Sequence, residues 1–305
     1  MKLAFALVLA AGLATVRAED KLTVASLSTV LSDVAKHVGG DKIDLIQIVK
    51  PGIDPHDFEP TPSDVRAISK AQIVLASGLG FEGYLSKLEQ SVGSGPKFVI
   101  AGQAIKPIMG FAGDHDDHEG HSHSHGQADE SGKTPDPHWF HSVRNIEIVT
   151  NLLRDAFIAA DPANQAAYTA NAKAYQDRLE ALSKWVRLQV AQLPKDKRIL
   201  VTSHDALGYF ARDHGFQVLP VEGISTGDQP SSKKVTALIA EIRGAGVKAI
   251  FAENIENPKV MQEITRETGA KLGGVIYADG LGDKEAATFE DMIRHNTSTI
   301  VNALK

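Results

Sequence analysis

Apolar positions along this chain fall into two alternating periods. Short β-rich runs occur at 22–27, 43–49, 73–76 and 98–101, and again at 198–202, 217–221, 249–252 and 274–277. Amphipathic segments lie between and after them, near 29–38, 62–70, 81–92, 143–159, 206–213, 232–243, 258–268 and 286–303. Strand alternating with helix predicts parallel sheets carrying helices on their faces.

One segment breaks the alternation. Tyr168, Ala172, Tyr175, Leu179, Leu182, Val186, Val190 and Leu193 recur at intervals of four and three. Asp161-Pro162 supplies a start signal and Pro194 a stop. The expectation is one helix of about 30 residues, roughly 45 Å long, which exceeds the needs of one small domain. It reads as a rigid strut, 161–194, joining two α/β lobes, 19–160 and 195–305, each with a parallel sheet of about four strands. Two such lobes turn their strand ends toward a shared crevice, where ligands of open α/β sheets bind. With 43% hydrophobic residues in 305, the chain is long enough to build both.

Residues 1–18 have the marks of a secretory signal: Lys2, an apolar run from Leu3 to Val16, and a small-residue cleavage pattern ending at Ala18. The apolar run is shorter than the ~20 residues of a membrane-spanning helix. Export with cleavage near Ala18 is therefore expected, into the periplasm. Cleavage removes Lys2 and Arg17 and takes the formal charge from -6 to -8. An acidic chain without basic clusters is poorly suited to nucleic acid or anionic lipid. Cysteine is absent, so disulfides and thiolate ligands are excluded, and any metal must be held by His and carboxylate.

Residues 114–126 read Asp-His-Asp-Asp-His-Glu-Gly-His-Ser-His-Ser-His-Gly, within a polar stretch that runs to 134. With no apolar side chain to bury, this stretch is expected to be a loop, and its imidazoles and carboxylates suit capture of zinc, copper or nickel.

Four other positions follow strands or sit on the loops above them: His56, His138, His204 and Asp279, two from each half. His56 and His138 share the tripeptide Asp-Pro-His, in which proline stiffens the turn that presents the ring. Three neutral imidazoles and one carboxylate make a set suited to tetrahedral zinc. Asp57, Glu59 and Asp205 adjoin these residues and are candidates to orient the rings. Plainer readings stand beside these: a lone histidine at a strand end is usually structural, and Asp279-Gly280 is also a turn signal. His141 competes with His138, while His37, His214 and His295 read as packing or surface residues.

At these residues the chain resembles the zinc- and manganese-specific solute-binding proteins of bacterial ABC importers. The resemblance covers nearly all of the chain beyond the leader. It is carried by Asp54-Pro-His-Asp-Phe-Glu-Pro-Thr-Pro-Ser-Asp64, Asp136-Pro-His138, His204-Asp-Ala-Leu-Gly-Tyr-Phe210, Phe251-Ala-Glu253 and Tyr277-Ala-Asp-Gly-Leu281. It implies that His56, His138, His204 and Asp279 hold the metal. The third position tends to be His in zinc members and Glu in manganese members, so His204 implies zinc. The resemblance also implies a strut that limits closure, a His-rich insertion serving capture or sensing, and bound zinc carried as cargo. Two details depart from the pattern: Trp139 follows His138 directly, and Gln229 stands where Glu is common.

The resulting expectation is a monomeric periplasmic zinc-binding protein, not an enzyme. Its partners would be the membrane permease of an ABC transporter and, as a further candidate, a zinc-donating chaperone. The rival readings are a manganese carrier, an exported zinc hydrolase, and a zinc buffer or adhesin without a transporter.

Overall fold

The computed structural model describes residues 21–111, 133–226, 231–254 and 259–305. The expected leader, the His-rich run 114–126 and Gln229 lie outside the described residues.

The first half begins with four strands, β1 (Leu22–Ser26), β2 (Ile43–Gln47), β3 (Ile73–Ala76) and β4 (Lys97–Ile100), in one parallel sheet ordered β2-β1-β3-β4. Helices α1 (Thr29–Gly39), α2 (Pro62–Ile68) and α3 (Leu85–Val92) connect them, and α4 (Val143–Ala160) closes this lobe. The strands are apolar on both faces because both faces are covered. Leu22, Val24, Ile73 and Leu75 enter one core, while Ala25, Val74 and Ala76 enter another under α2 and α3. A short antiparallel pair, β5 (Met109–Phe111) and β6 (Lys133–Pro135), brackets residues 112–132. Three residues per strand give no periodicity to read, so hydropathy does not reveal this pair.

The long helix α5 spans Gln165–Val190. Its 26 residues make it roughly 39 Å long, shorter than expected at both ends. Pro162–Asn164 form a 3-10 turn, and Asp161 accepts hydrogen bonds from Asn164 Nδ2 (2.8 Å) and Tyr168 Oη (2.7 Å) in place of a regular cap. Tyr168, Ala172, Tyr175, Leu179, Leu182, Val186 and Val190 are all buried, as their spacing demands.

The second half carries β7 (Ile199–Thr202), α6 (Gly208–His214), β8 (Gln217–Pro220), α7 (Ser232–Ala245), β9 (Ala249–Glu253), α8 (Lys259–Thr268), β10 (Lys271–Ile276) and α9 (Phe289–Leu304). Its four parallel strands form two hydrogen-bonded pairs, β7-β8 and β9-β10, with β7 lying against β9. β10 begins three residues before the run the hydropathy marks, because a register shift between Leu272 and Val275 interrupts the ladder. Gly273-Gly274 sit in this irregularity, and Gly274 has φ 134°.

α5 packs against α1 and α4 of the first lobe and α9 of the second. One apolar core consequently runs from Val24 and Leu31 through Leu179 and Leu182 to Phe251, Ile276 and Phe289. Separate cores line the outer faces of the two lobes. Among the described residues no helix is long and apolar enough to cross a membrane.

Candidate metal centre

His56 and His138 are presented by the same local device. In each Asp-Pro-His tripeptide the aspartate Oδ1 accepts the histidine backbone N–H at 2.8 Å, two residues on. Aspartate favours this turn because its side chain can close it, and the proline between fixes φ. His204 lies two residues beyond β7, and Asp279 lies three beyond β10. Both therefore stand at the carboxyl ends of strands, the open side of such sheets.

The backbone around Asp279 is tied from both lobes. His141 Nε2–H donates to Ala278 O at 2.7 Å, and Leu281 N–H donates to Thr29 Oγ1 at 2.8 Å. Asn296 of α9 accepts from Tyr277 N–H at 2.9 Å and donates to Tyr277 O at 2.7 Å. These four hydrogen bonds hold the loop on which the carboxylate sits.

The four residues singled out in the sequence meet between the lobes. His138 Nε2 lies 3.0 Å from Asp279 Oδ1, 3.3 Å from His56 Nε2 and 3.4 Å from His204 Nε2. Asp279 Oδ1 is 3.2 Å from His204 Nε2 and 3.4 Å from His56 Nε2. His138, His204 and Asp279 are buried and His56 is partly so. Phe81 packs edgewise on the His56 and His138 rings, at centroid distances of 5.0 and 5.7 Å.

The ring orientations have a common cause. Asp136 Oδ1 accepts from His138 Nδ1–H at 2.9 Å, and Glu253 accepts from His204 Nδ1–H. Each carboxylate also accepts the backbone N–H of the same histidine. With Nδ1 committed to a carboxylate, Nε2 is the nitrogen left facing the cluster, where a metal ion would take the place of its proton. These orienting groups are Asp136 and Glu253, whereas Asp57 and Glu59 are exposed and Asp205 lies beside Gly110. Asp136 was legible in Asp-Pro-His. Glu253 sits 49 residues from His204, and local spacing carries no sign of it.

Charge follows from this geometry. Burial alone pushes the His138 imidazole down, but its hydrogen bonds to Asp136 and Asp279 and their charges outweigh it and raise the pKa to about 9. Burial likewise opposes protonation of His204, and the Asp279 and Glu253 carboxylates overcome it, placing its pKa well above the ordinary value. Asp279 is pushed up by burial and pulled further down by the histidines, ending well below the usual carboxylate range. Three carboxylates thus surround three imidazoles. Such a cluster offsets the charge of a divalent cation without help from solvent.

The other histidines among the described residues are structural. Burial lowers His141 to about 4, so it is neutral beneath Ala278. His37 stacks on Tyr175, His214 packs on Phe210, and His295 donates to Val275 O at 2.9 Å.

The family model for the zinc-uptake complex component A, periplasmic (ZnuA), matches residues 24–303. Among curated relatives, the manganese-binding lipoprotein MntA of Bacillus subtilis is 30% identical over 296 residues, covering 94% of this chain and 91% of the relative. The iron-binding protein YfeA of Yersinia pestis is 30% identical over 283 residues, covering 92% and 85%. The solved structure of the periplasmic zinc-binding protein TroA from Treponema pallidum superposes with TM-score 0.82 at 27% identity, covering 93% of this chain and 99% of that one.

Proposed function

The chain belongs to the ZnuA family of metal-binding, extracytoplasmic solute-binding proteins of ABC importers, and from that premise we propose that its cargo is zinc, held by His56, His138, His204 and Asp279. The family consists of transport components and not of enzymes. In this reading the protein is exported by cleavage near Ala18, works as a monomer in the periplasm, and delivers the ion to a membrane permease. A zinc-donating chaperone would stand upstream.

The observation that carries zinc is the spacing of the ligand atoms. Zinc lies about 2.0–2.1 Å from nitrogen ligands, so the edge of a regular tetrahedron around it is ~3.3 Å. Five of the six ligand-atom distances, at 3.0 to 3.4 Å, fit that edge, and all four atoms lie within 4.8 Å of one another. Three nitrogens to one oxygen also match the borderline character of zinc better than that of manganese, which favours oxygen donors and more of them. Occupancy of all four positions by protein atoms leaves no open place for a reacting water, in keeping with carriage of the ion.

One observation favours manganese as a second reading. Asp279 Oδ2 is buried without a hydrogen-bond partner among the described residues, and its entry as a fifth ligand would raise the oxygen count. Relatives named for manganese and iron make the comparison necessary.

Competition titration of the metal-free protein with zinc and manganese separates the two. Zinc should bind more tightly by at least about a hundredfold, and His204→Ala should weaken it by a similar factor while His214→Ala leaves it unchanged. Equal effects of the two substitutions would reject the ligand assignment. The His-rich run supplies weaker additional capture sites in this reading. Deleting 114–126 should remove the weak zinc equivalents seen by calorimetry and keep one tight site.

A further inference from the structure

The candidate ligand set leaves two polar atoms beside it unexplained. Asp279 Oδ2 and Asn254 Oδ1 are both buried and, among the described residues, neither has a hydrogen-bond partner. Both residues line a crevice of about 10 Å³ between the lobes, together with Thr29 and Phe81. Two acceptor oxygens cannot satisfy each other. What satisfies both must donate two hydrogens, and the crevice has room for one water molecule.

We propose that a single ordered water bridges Asp279 Oδ2 and Asn254 Oδ1, holds Asp279 to one ligand oxygen, and makes Asn254 a specificity-determining residue for zinc over manganese. The inference rests on the zinc-site reading above. The water donates one hydrogen to each acceptor. It accepts one from the hydroxyl of Thr29, whose oxygen is already occupied by the Leu281 N–H at 2.8 Å. That makes three hydrogen bonds, the usual number for a buried water.

Asn254 owes its place to the sheet. Its backbone N–H donates to Ile276 O at 3.1 Å, continuing the β9-β10 ladder past the Glu253↔Ile276 pair. Asn254 and Asp279 therefore leave the same end of neighbouring strands, with Glu253 on the preceding residue orienting His204. One strand end thus sets both the direction of an imidazole and the number of oxygens the metal meets. With Oδ2 committed to the water, the ion finds three nitrogens and one oxygen. Manganese, which needs more oxygen donors, loses the one nearest to hand.

The test uses the full chain loaded with zinc or manganese, and three substitutions of Asn254. X-ray absorption of the zinc form should show three imidazoles and one carboxylate oxygen in the wild type. Asn254→Leu removes the acceptor and fills the crevice. It should add a second carboxylate oxygen to the zinc spectrum and lower the zinc-to-manganese affinity ratio about tenfold. Asn254→Ser, which keeps an oxygen for the water, should restore both readings toward wild type. Where the leucine variant does not fold, Asn254→Val, which also removes the acceptor and occupies the crevice, carries the same comparison. A wild-type spectrum with both Asp279 oxygens on zinc, or an unchanged ratio in the folded Leu or Val variant, would overturn the proposal while leaving the zinc site intact. A wild-type spectrum lacking three imidazoles would instead remove the reading on which the proposal stands.

Discussion

At the scale of single residues, the site is a set of paired duties. Each of His138 and His204 has one ring nitrogen facing the cluster and the other held by a carboxylate, so neither imidazole is free to turn. The ligand candidates were legible because histidine after an Asp-Pro pair or after a strand is a local pattern. Glu253, Thr29 and Asn296 were not, since their roles arise only when distant segments meet. A further buried group shapes the site from outside it. Glu82 accepts from Ser77 N–H at 2.6 Å and Gly78 N–H at 2.9 Å, clasping the turn before Phe81, where Leu79 has a left-handed φ of 57°. Burial raises the Glu82 carboxyl to about 7, against the opposing pull of those two N–H groups. The folded chain then holds this proton more tightly than the unfolded one. Its contribution to stability is complete below the ordinary value of 4.5 and is lost as pH rises through about 7. Metal-free wild type should therefore lose roughly 2–3 kcal/mol relative to Glu82→Gln between pH 5 and 8. Urea unfolding of the two proteins at both pH values measures the difference, and parallel stabilities would contradict it.

At the scale of elements, α1 deserves a role beyond covering its sheet. It belongs to the first lobe, yet Thr29 in its first turn accepts Leu281 N–H, and Asp33, one turn on, accepts Phe289 N–H at 3.0 Å. Leu281 follows Asp279 by two residues, and Phe289 opens α9. α1 therefore pins both ends of the segment that runs from the candidate ligand to the last helix. Hydropathy gave α1 its place and its buried face, because Val30, Leu31, Val34 and Val38 repeat at helical spacing. Asp33 and Thr29 lie among these buried positions as polar residues, an anomaly that only the facing lobe explains. Asp33→Ala should leave the Phe289 N–H buried without an acceptor and cost about 1–3 kcal/mol. Chemical denaturation reads the loss. A change within error would mean that water replaces the carboxylate and that α1 does not act as a clamp.

At the scale of the whole molecule, the decisive feature is that the lobes are not independent. The sequence indicated two α/β units and a strut, and the periodicity of α5 showed which of its faces is apolar. It could not show that the two ends of that stripe enter one core, since packing partners do not appear in a helical period. In the structure, Leu179 and Leu182 belong to the same apolar cluster as Val24 of β1 and Phe251 of β9. Separating the lobes would expose this cluster, so a large hinge motion is opposed by the hydrophobic effect itself. The same continuity governs unfolding. If each lobe could stand alone, heating would melt them in two steps, and damage to α5 would lower only one. With a shared core, calorimetry of the metal-free protein should show a single transition whose calorimetric and van't Hoff enthalpies agree. Leu182→Ala should lower the whole transition, costing about 2–5 kcal/mol, without splitting it. Zinc should raise the same single transition, because an ion held by residues of both lobes stabilises only the state in which both are folded. A split endotherm, or zinc acting on one of two peaks, would show that the lobes fold separately and that α5 merely connects them.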